Sequence, residues 1–183
     1  MPAIIDRTNP EKHVAISDSY PIIEYLEETY PDPPLFPPGT RAAQASLHYY
    51  TVTKLMPLAN KLTAYAKWQK QVAPSQETFR EKQEKLYGKR LEDVCPAGPE
   101  RVEAWTQFKQ ALNALDELFK KNGQGEKGRF FLGDKFTYGD LAIAAVLVSV
   151  KFSLDDEADE ELKECSDGRW VELLGYCSQY IHK

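Results

Sequence analysis

The chain has 183 residues, of which 42% are hydrophobic and 28% charged, and its formal net charge is -5 at pH 7. These values are typical of a globular protein with a sizeable core, and the acidic balance argues against a nucleic-acid partner, which needs a basic face. No apolar run reaches the ~18 residues that cross a bilayer and the N-terminus has no signal-peptide pattern, so we expect a cytoplasmic protein without membrane contact.

The first thirty residues predict a β-hairpin followed by a helix. Residues 3–6 (AIID) and 13–17 (HVAIS) are short strand-like runs, and Asn9-Pro10 between them predicts a turn. Apolar residues then recur at three- and four-residue spacing over residues 22–30, which indicates an amphipathic helix. Pro31 ends this helix, because the residue before a proline is displaced from the helical conformation.

The stretch 31–40, PDPPLFPPGT, contains five prolines and predicts an extended linker. We therefore expect an N-terminal unit at residues 1–31, a proline-rich linker at 32–40 and an all-helical domain at 41–183. Within that domain the apolar spacing predicts helices over residues 41–72, with a kink at Met56-Pro57, 75–93 and 100–121, a buried helix after FLGDKF, and short helices near 155–164 and 168–181.

Thr137 and Asp140 form a capping-box pattern before the apolar run LAIAAVLVSV. The Thr137 hydroxyl can accept from the backbone N–H of Asp140, and the Asp140 carboxylate can accept from the N–H of Thr137. A helix that is apolar all round lies inside a domain, where its first N–H groups cannot bond to water. We therefore interpret this pair as a structural cap and not as a catalytic pair.

Asp18-Ser19 stands between the second strand and the first helix. The free N–H groups and partial positive charge of a helix N-terminus can bind an anion. The hydroxyl and N–H of Ser19 would bind a ligand carboxylate, while the carboxylate of Asp18 would bind a neighbouring ammonium group. Such a pair would hold both charges of an amino-acid head group. The alternative is that Ser19 only caps the helix.

Several short segments occur along the chain in a specific order: PAIID at 2–6, ISDS at 16–19, IIEYL at 22–26 with Tyr30-Pro31, FLGD at 131–134 and TYGDLA at 137–142. The predicted elements follow in this order: a strand that begins with proline, a turn, a strand ending in Asp-Ser, a helix, a proline-rich linker and an all-helical domain with a capping box. This arrangement resembles the glutathione S-transferase family. The stretches FPPGTRAAQ and SDSYPIIEYLEETYP are most similar to fungal, etherase-related members.

The resemblance implies a mainly α fold, with a glutathione transferase-type C-terminal helical bundle preceded by a partial thioredoxin-like β-β-α unit. It implies that glutathione is the co-substrate and that Asp18 and Ser19 bind its γ-glutamyl head group. The family's proline at the position of Pro2 is cis, and the backbone of its neighbour pairs with the cysteinyl part of glutathione. A hydrophobic electrophile as second substrate and a homodimer are also implied.

Four aromatic residues lie on the long helix that, in this family, walls the pocket for the electrophile: Tyr49, Tyr50, Tyr65 and Trp68. Aromatic residues at helical spacing also form ordinary cores, so core packing is the alternative reading of these four. The histidines and cysteines show neither HExxH nor CxxC spacing, and we therefore expect no metal site and reduced thiols.

No residue of this chain matches the family's catalytic Ser, Cys or Tyr. In the family, that residue lies in a strand–helix–strand unit that precedes the segment beginning at Pro2, and here Met1 stands directly before it. We therefore expect a chain truncated at the N-terminus of the thioredoxin-like domain and inactive alone. Two functions stay open. The parent protein transfers the thiolate of glutathione to an electrophile, or cleaves an ether with it, or else the chain is a non-catalytic binding or assembly module.

Overall fold

A computed structural model describes residues 2–11, 13–123 and 125–180. The chain begins with two antiparallel strands, β1 (Ala3–Asp6) and β2 (Val14–Ser17), in a register that pairs Ile4 with Ile16. Helix α1 (Ser19–Thr29) follows at once and packs on this hairpin. Side chains alternate along the strands, so one face of the hairpin is half-buried under α1 and the other is exposed.

Within the described residues, seven further α-helices follow the linker: α2 (Arg41–Tyr50), α3 (Met56–Gln69), α4 (Ala73–Tyr87), α5 (Pro99–Phe119), α6 (Tyr138–Leu154), α7 (Asp156–Lys163) and α8 (Arg169–Cys177). Together with the hairpin and α1 they confirm the predicted fold class, a helical bundle preceded by a small β-β-α unit. None of the described helices is both long enough and apolar enough to cross a lipid bilayer.

The long helix predicted over residues 41–72 is interrupted before Pro57. Residues Thr51–Leu55 form a π-helical turn, in which the N–H of Met56 donates to the carbonyl of Thr51, five residues back. Pro57 has no N–H, so it cannot continue the regular α-helical ladder, and the wider turn just before it absorbs the mismatch. The interruption was expected, but its π-helical form was not.

Helix α4 is shorter than the sequence predicted. It ends at Tyr87, because Gly88 adopts a left-handed conformation with φ 67° and donates its N–H to the carbonyl of Glu84. A glycine in this conformation is a common helix terminator, since it lacks a Cβ that would clash. The charged residues up to Asp93, assigned to the helix by their composition, form a separate short turn at Leu91–Asp93.

Helix α6 lies at the centre of the helical domain and contacts α2, α3, α7 and α8. Most of its apolar residues are buried against these helices, whereas Leu141 and Phe152 are exposed. The largest fully buried side chains around it include Leu55, Leu62, Phe108, Leu112, Leu147 and Trp170. This core fixes the position of the N-terminus of α6, which lies next to the candidate site.

The buried carboxylate of Asp140 closes the start of α6. Its Oδ2 accepts from the N–H of Thr137 at 2.9 Å and from the Thr137 hydroxyl at 2.8 Å, so the predicted capping box is present. Its Oδ1 accepts from the N–H of Phe131 at 2.8 Å, which the sequence did not predict. The N–H of Tyr138 donates to the carbonyl of Leu35 at 3.1 Å, and that of Gly139 donates to Oε1 of the buried Gln44 on α2 at 2.7 Å.

Candidate functional site

The junction between β2 and α1 has an unusual backbone at Asp18. This residue has φ 80° and ψ 141°, in a region that side chains other than glycine rarely adopt. Its N–H donates to the carbonyl of Pro2 at 2.9 Å, and its Oδ1 accepts from the N–H of Ser19 at 2.7 Å. The structure therefore brings together the three residues expected to contact glutathione: Pro2, Asp18 and Ser19.

The start of α1 offers groups for one anion and one cation. The N–H of Ile22 donates to the carbonyl of Asp18 at 3.1 Å and Pro21 has no N–H, so only the N–H groups of Ser19 and Tyr20 lack a carbonyl acceptor within the helix. The Asp18 carboxylate accepts from Ser19 N–H in this structure. A ligand carboxylate at the N–H of Ser19 would replace the Asp18 carboxylate. The Asp18 side chain would then be able to turn to a ligand ammonium group.

The predicted cis bond joins Met1 to Pro2 and lies outside the described residues, because Met1 is not among them. Pro2 itself is exposed. Within the described residues, the structure contains a cis peptide bond in the linker, between Asp32 and Pro33.

Next to Ser19, an aromatic cluster joins α1 to the helical domain. It consists of Tyr20, Phe36, His48 and Tyr138, and we call it the junction cluster. The ring centroid of Tyr20 lies 4.5 Å from that of His48 and 5.6 Å from that of Tyr138. Phe36 of the linker packs edge-on against Tyr138 at 5.3 Å. The hydroxyl of Tyr138 and Nδ1 of His48 are 2.8 Å apart, within hydrogen-bond distance.

The electrostatics of the junction cluster define the charge states of the two groups in this bond. Burial lowers the pKa of His48, although the negative charges of Asp18 and Glu24 oppose the shift. Burial raises the pKa of Tyr138 to about 12, and the nearby acidic groups add to the shift. At neutral pH the imidazole is therefore uncharged and the phenol protonated. The hydroxyl of Tyr138 therefore donates to Nδ1 of His48 in the tautomer whose ring hydrogen is on Nε2.

Glu27 and Asp6 hold the N-terminal unit in place, and sequence reasoning missed both. The carboxylate of Glu27, on α1, accepts from the N–H of Leu35 at 2.6 Å and from the N–H of Phe36 at 3.0 Å, which fixes the linker to α1. Asp6, at the end of β1, accepts from the Tyr25 hydroxyl at 2.6 Å. Neither carboxylate differs in its sequence context from its solvated neighbours, so no pattern identified them.

The four aromatic residues predicted to wall an electrophile pocket do not share one surface. Tyr50 packs toward α5, where its hydroxyl donates to the carbonyl of Ala111 at 3.0 Å, and Tyr49 is 71% exposed. Tyr65 and Trp68 do stack on each other, with their ring centroids 5.6 Å apart. Tyr65 lines a cleft of about 510 Å³ between α3 and the segment that precedes α5. Their role as substrate contacts stays a prediction.

The described residues contain no group of three or more His, Cys, Asp or Glu side chains placed to hold a metal ion. The thiols of Cys165 and Cys177 are buried, and burial raises the pKa of both. Neither thiol is therefore a ready source of thiolate at neutral pH.

Comparison with protein-family models matches residues 42–180 to the glutathione S-transferase C-terminal domain. Among related proteins, the chain is 30% identical over 173 residues to the glutathione S-transferase-like protein ustS of Aspergillus flavus, which covers 91% of the chain and 61% of ustS. It is 28% identical over 143 residues to a probable maleylacetoacetate isomerase of Caenorhabditis elegans, covering 76% of the chain and 53% of that protein. The chain thus spans little more than half the length of these two relatives.

Solved structures with the same fold are fungal glutathione transferases. Glutathione transferase GSTFuA2 from Phanerochaete chrysosporium is 28% identical, with a TM-score of 0.87, and is matched over 100% of the chain and 71% of its own length. A glutathione S-transferase of Ceriporiopsis subvermispora in complex with glutathione is also 28% identical, with a TM-score of 0.85, over 93% of the chain and 68% of its own. With its helical domain matched to the family model over residues 42–180, the chain belongs to the glutathione S-transferase family.

Proposed function

We propose that this protein binds glutathione at the start of α1 and belongs to a transferase that joins the glutathione thiolate to a hydrophobic electrophile or uses it to cleave an ether. Asp18 binds the ammonium group and Ser19 the carboxylate of the γ-glutamyl head group, while the backbone beside Pro2 pairs with the cysteinyl part. The relative from Ceriporiopsis subvermispora, which holds glutathione, supports this reading through its shared fold. We further propose a fungal, cytoplasmic, dimeric protein without nucleic-acid or membrane partners.

The observation that carries this proposal is the backbone of Asp18. A residue that merely caps a helix has extended backbone angles and accepts from the second or third N–H of the helix. Asp18 instead has φ 80° and accepts from the first N–H, that of Ser19. A non-glycine residue held in this way costs roughly 1–3 kcal/mol, and such strain collects at ligand-binding sites. The simple-cap alternative leaves this strained geometry unexplained.

Glutathione transfer also needs a group that stabilises the thiolate, because the thiolate and not the thiol is the nucleophile. We assign this role to no residue of the chain. The buried Tyr138 keeps its proton, with a pKa raised to about 12, and the hydroxyl of Tyr50 is bonded to the carbonyl of Ala111. We propose that the thiolate-stabilising group lies outside these 183 residues. Because we assign this role to no residue of the chain, a non-catalytic binding or assembly module is the second candidate function.

Calorimetry with glutathione tests the proposal on two proteins. One is the chain itself, and the other is a fusion in which the strand–helix–strand unit of the Ceriporiopsis subvermispora relative precedes Pro2. We expect no conjugation activity and weak or no binding for the chain alone, and clear binding for the fusion. In the fusion, Ser19→Ala should weaken binding by about 1–3 kcal/mol, the scale of a lost hydrogen bond to a charged group. Ser46→Ala, at an exposed position of α2, is the matched control.

Each outcome separates the candidate functions. Equal affinities of the Ser19→Ala fusion and the unmodified fusion would show that Asp18-Ser19 is only a helix cap. A folded fusion that does not bind glutathione would favour the non-catalytic module. Turnover by the chain alone that a single substitution abolishes would show that it carries a thiolate-stabilising group.

A further inference from the structure

The junction cluster contains a polar bond that packing alone does not require. Only 6% of Tyr138 is exposed, and it lies among aromatic rings from α1, the linker and α2. A phenylalanine would fill this place equally well and would leave no polar atom to satisfy. Tyr138 instead directs its hydroxyl to Nδ1 of His48 at 2.8 Å. A partly buried polar pair of this kind fixes the relative orientation of the two rings.

The bond between His48 and Tyr138 is linked to the candidate site through one residue. Tyr20 follows Ser19 directly in α1, and its ring packs on both His48 and Tyr138. Tyr138 is in turn the first residue of α6, whose start is fixed by the buried Asp140. The position of Tyr20, and with it the start of α1, is therefore set by contacts with the buried start of α6.

We propose that Tyr20, His48 and Tyr138 are positioning residues for the Asp18–Ser19 junction: they orient the first turn of α1 toward the γ-glutamyl end of glutathione. Tyr20 acts through its ring, and the other two act through the bond between the Tyr138 hydroxyl and Nδ1 of His48. The ligand named in this proposal rests on the function proposed above. The positioning itself rests only on contacts within the chain.

Protonation of His48 reverses this bond and gives the proposal a measurable signature. In the tautomer with its hydrogen on Nε2, the uncharged ring accepts at Nδ1, whereas the protonated ring carries a hydrogen on both nitrogens and can only donate. The titratable and charged groups around the ring are Tyr20, Asp18 and Glu24 from the α1 side and Tyr138 from α6. As the pH falls through the pKa of His48, the Tyr138 hydroxyl loses its acceptor, and the change passes through Tyr20 to Ser19.

Nuclear magnetic resonance on the isotope-labelled chain tests this coupling without any ligand. We expect the backbone N–H resonance of Ser19 to shift with the same midpoint as the ring of His48. The Tyr138→Phe variant, which removes one oxygen atom, should abolish that shift at Ser19. Tyr20→Phe should preserve it, because Tyr20 contributes its ring contacts.

A second variant keeps the test decisive if Tyr138→Phe does not fold. His48→Gln retains a carbonyl acceptor for the Tyr138 hydroxyl but cannot titrate, so it should keep the native Ser19 resonance over the pH range in which His48 titrates in the unmodified chain. A Ser19 resonance that ignores the His48 titration in the unmodified chain would overturn the proposal. So would an unchanged titration of Ser19 in a folded Tyr138→Phe variant.

Glutathione binding by the fusion described above then tests the ligand. Tyr138→Phe should weaken the affinity by roughly 2- to 10-fold, the scale of one lost neutral hydrogen bond. If Ser19→Ala leaves the affinity unchanged while the resonance coupling is present, the proposed glutathione site fails and the positioning contacts stand. If the coupling is absent while Ser19→Ala weakens binding, the site stands and the positioning role fails.

Discussion

The helical domain and the N-terminal β-β-α unit are held together by different interactions. In the helical domain, large side chains such as Phe108, Leu147 and Trp170 are fully buried around α6. In the hairpin and α1, none of the described residues from 2 to 31 is buried, and Ile5 is 58% exposed. Burial of apolar area stabilises the first region, whereas a few hydrogen bonds and the junction cluster hold the second.

This difference in burial bears on how easily the Asp18–Ser19 junction can change conformation. Segments with few buried apolar contacts open at a lower free energy than the core of the same protein. The Asp18–Ser19 junction belongs to the less buried unit, and the Asp18 side chain must move when a ligand carboxylate binds the N–H of Ser19. In the proposed site, the side chain that would move therefore lies on the less buried unit, next to the buried helical domain.

The largest expected effect is the loss of the buried cap in the helical domain. Asp140→Ala leaves the N–H groups of Thr137 and Phe131 without their acceptor inside the protein. Losing the cap and leaving a buried N–H unsatisfied should together cost about 3 kcal/mol of unfolding free energy. Urea denaturation measures this, and Asp134→Ala, at an exposed position, is the control. Equal midpoints for the two variants would contradict this account of α6.

This cap also shows which contacts can be predicted from the sequence and which cannot. The pair Thr137 and Asp140 is a local pattern three residues apart, so the sequence predicted their bond. The contact of Asp140 with the N–H of Phe131 depends on how a loop folds back, and no local spacing encodes it. The same holds for α4: its helical composition continues past Gly88, but the left-handed backbone there ends the helix.

At the candidate site, the sequence selected residues that the structure brings together, but it did not predict the contacts around them. The family resemblance selected Pro2, Asp18 and Ser19, and the structure places them in contact. His48 and Tyr138 are 90 residues apart in sequence. Their bond forms only because α2 and α6 pack side by side in the bundle, and neither residue belongs to a recognisable motif. The contact between His48 and Tyr138 therefore depends on long-range packing and could not be predicted from local sequence.

A smaller effect is expected where the two regions meet at Glu27. Glu27→Gln leaves one carbonyl oxygen to serve the N–H groups of Leu35 and Phe36, both of which now bond to the carboxylate. We expect α1 to be destabilised relative to the helical domain by about 1 kcal/mol, or roughly fivefold faster amide hydrogen exchange in α1.

The neighbouring Glu28→Gln is the matched control for this variant. Glu28 forms an exposed ion pair with Arg41 at 3.2 Å, and such pairs contribute little to stability. Similar exchange rates in α1 for the two variants would show that the linker does not depend on the carboxylate of Glu27. Faster exchange throughout α6 as well would show that the two regions open together. It would contradict the lower stability that we infer for the N-terminal unit.

The smallest effect is expected within the hairpin, at Asp6. The hydroxyls of Thr8 and Tyr25 donate to its carboxylate and hold its pKa well below the ordinary value of 3.8. Asp6→Asn keeps the size of the side chain but removes its charge and one acceptor oxygen. We expect the strand amides of β1 and β2 to exchange about twofold faster in this variant, with no change in α6, by hydrogen-exchange measurements near neutral pH.

The sign of the Asp6 shift also predicts how the hairpin responds to acid. Because the folded pKa is lower than the unfolded value, the contribution of Asp6 is present above that value and is lost as the pH falls below it toward the folded pKa. Hairpin resonances of the unmodified chain should therefore change between about pH 5 and about pH 2, and Asp6→Asn should remove part of that change. Glu11→Gln, at an exposed position of the same hairpin, should leave it intact. An acid response that is the same in both variants would show that the hydrogen bonds of Asp6 do not hold the hairpin against α1.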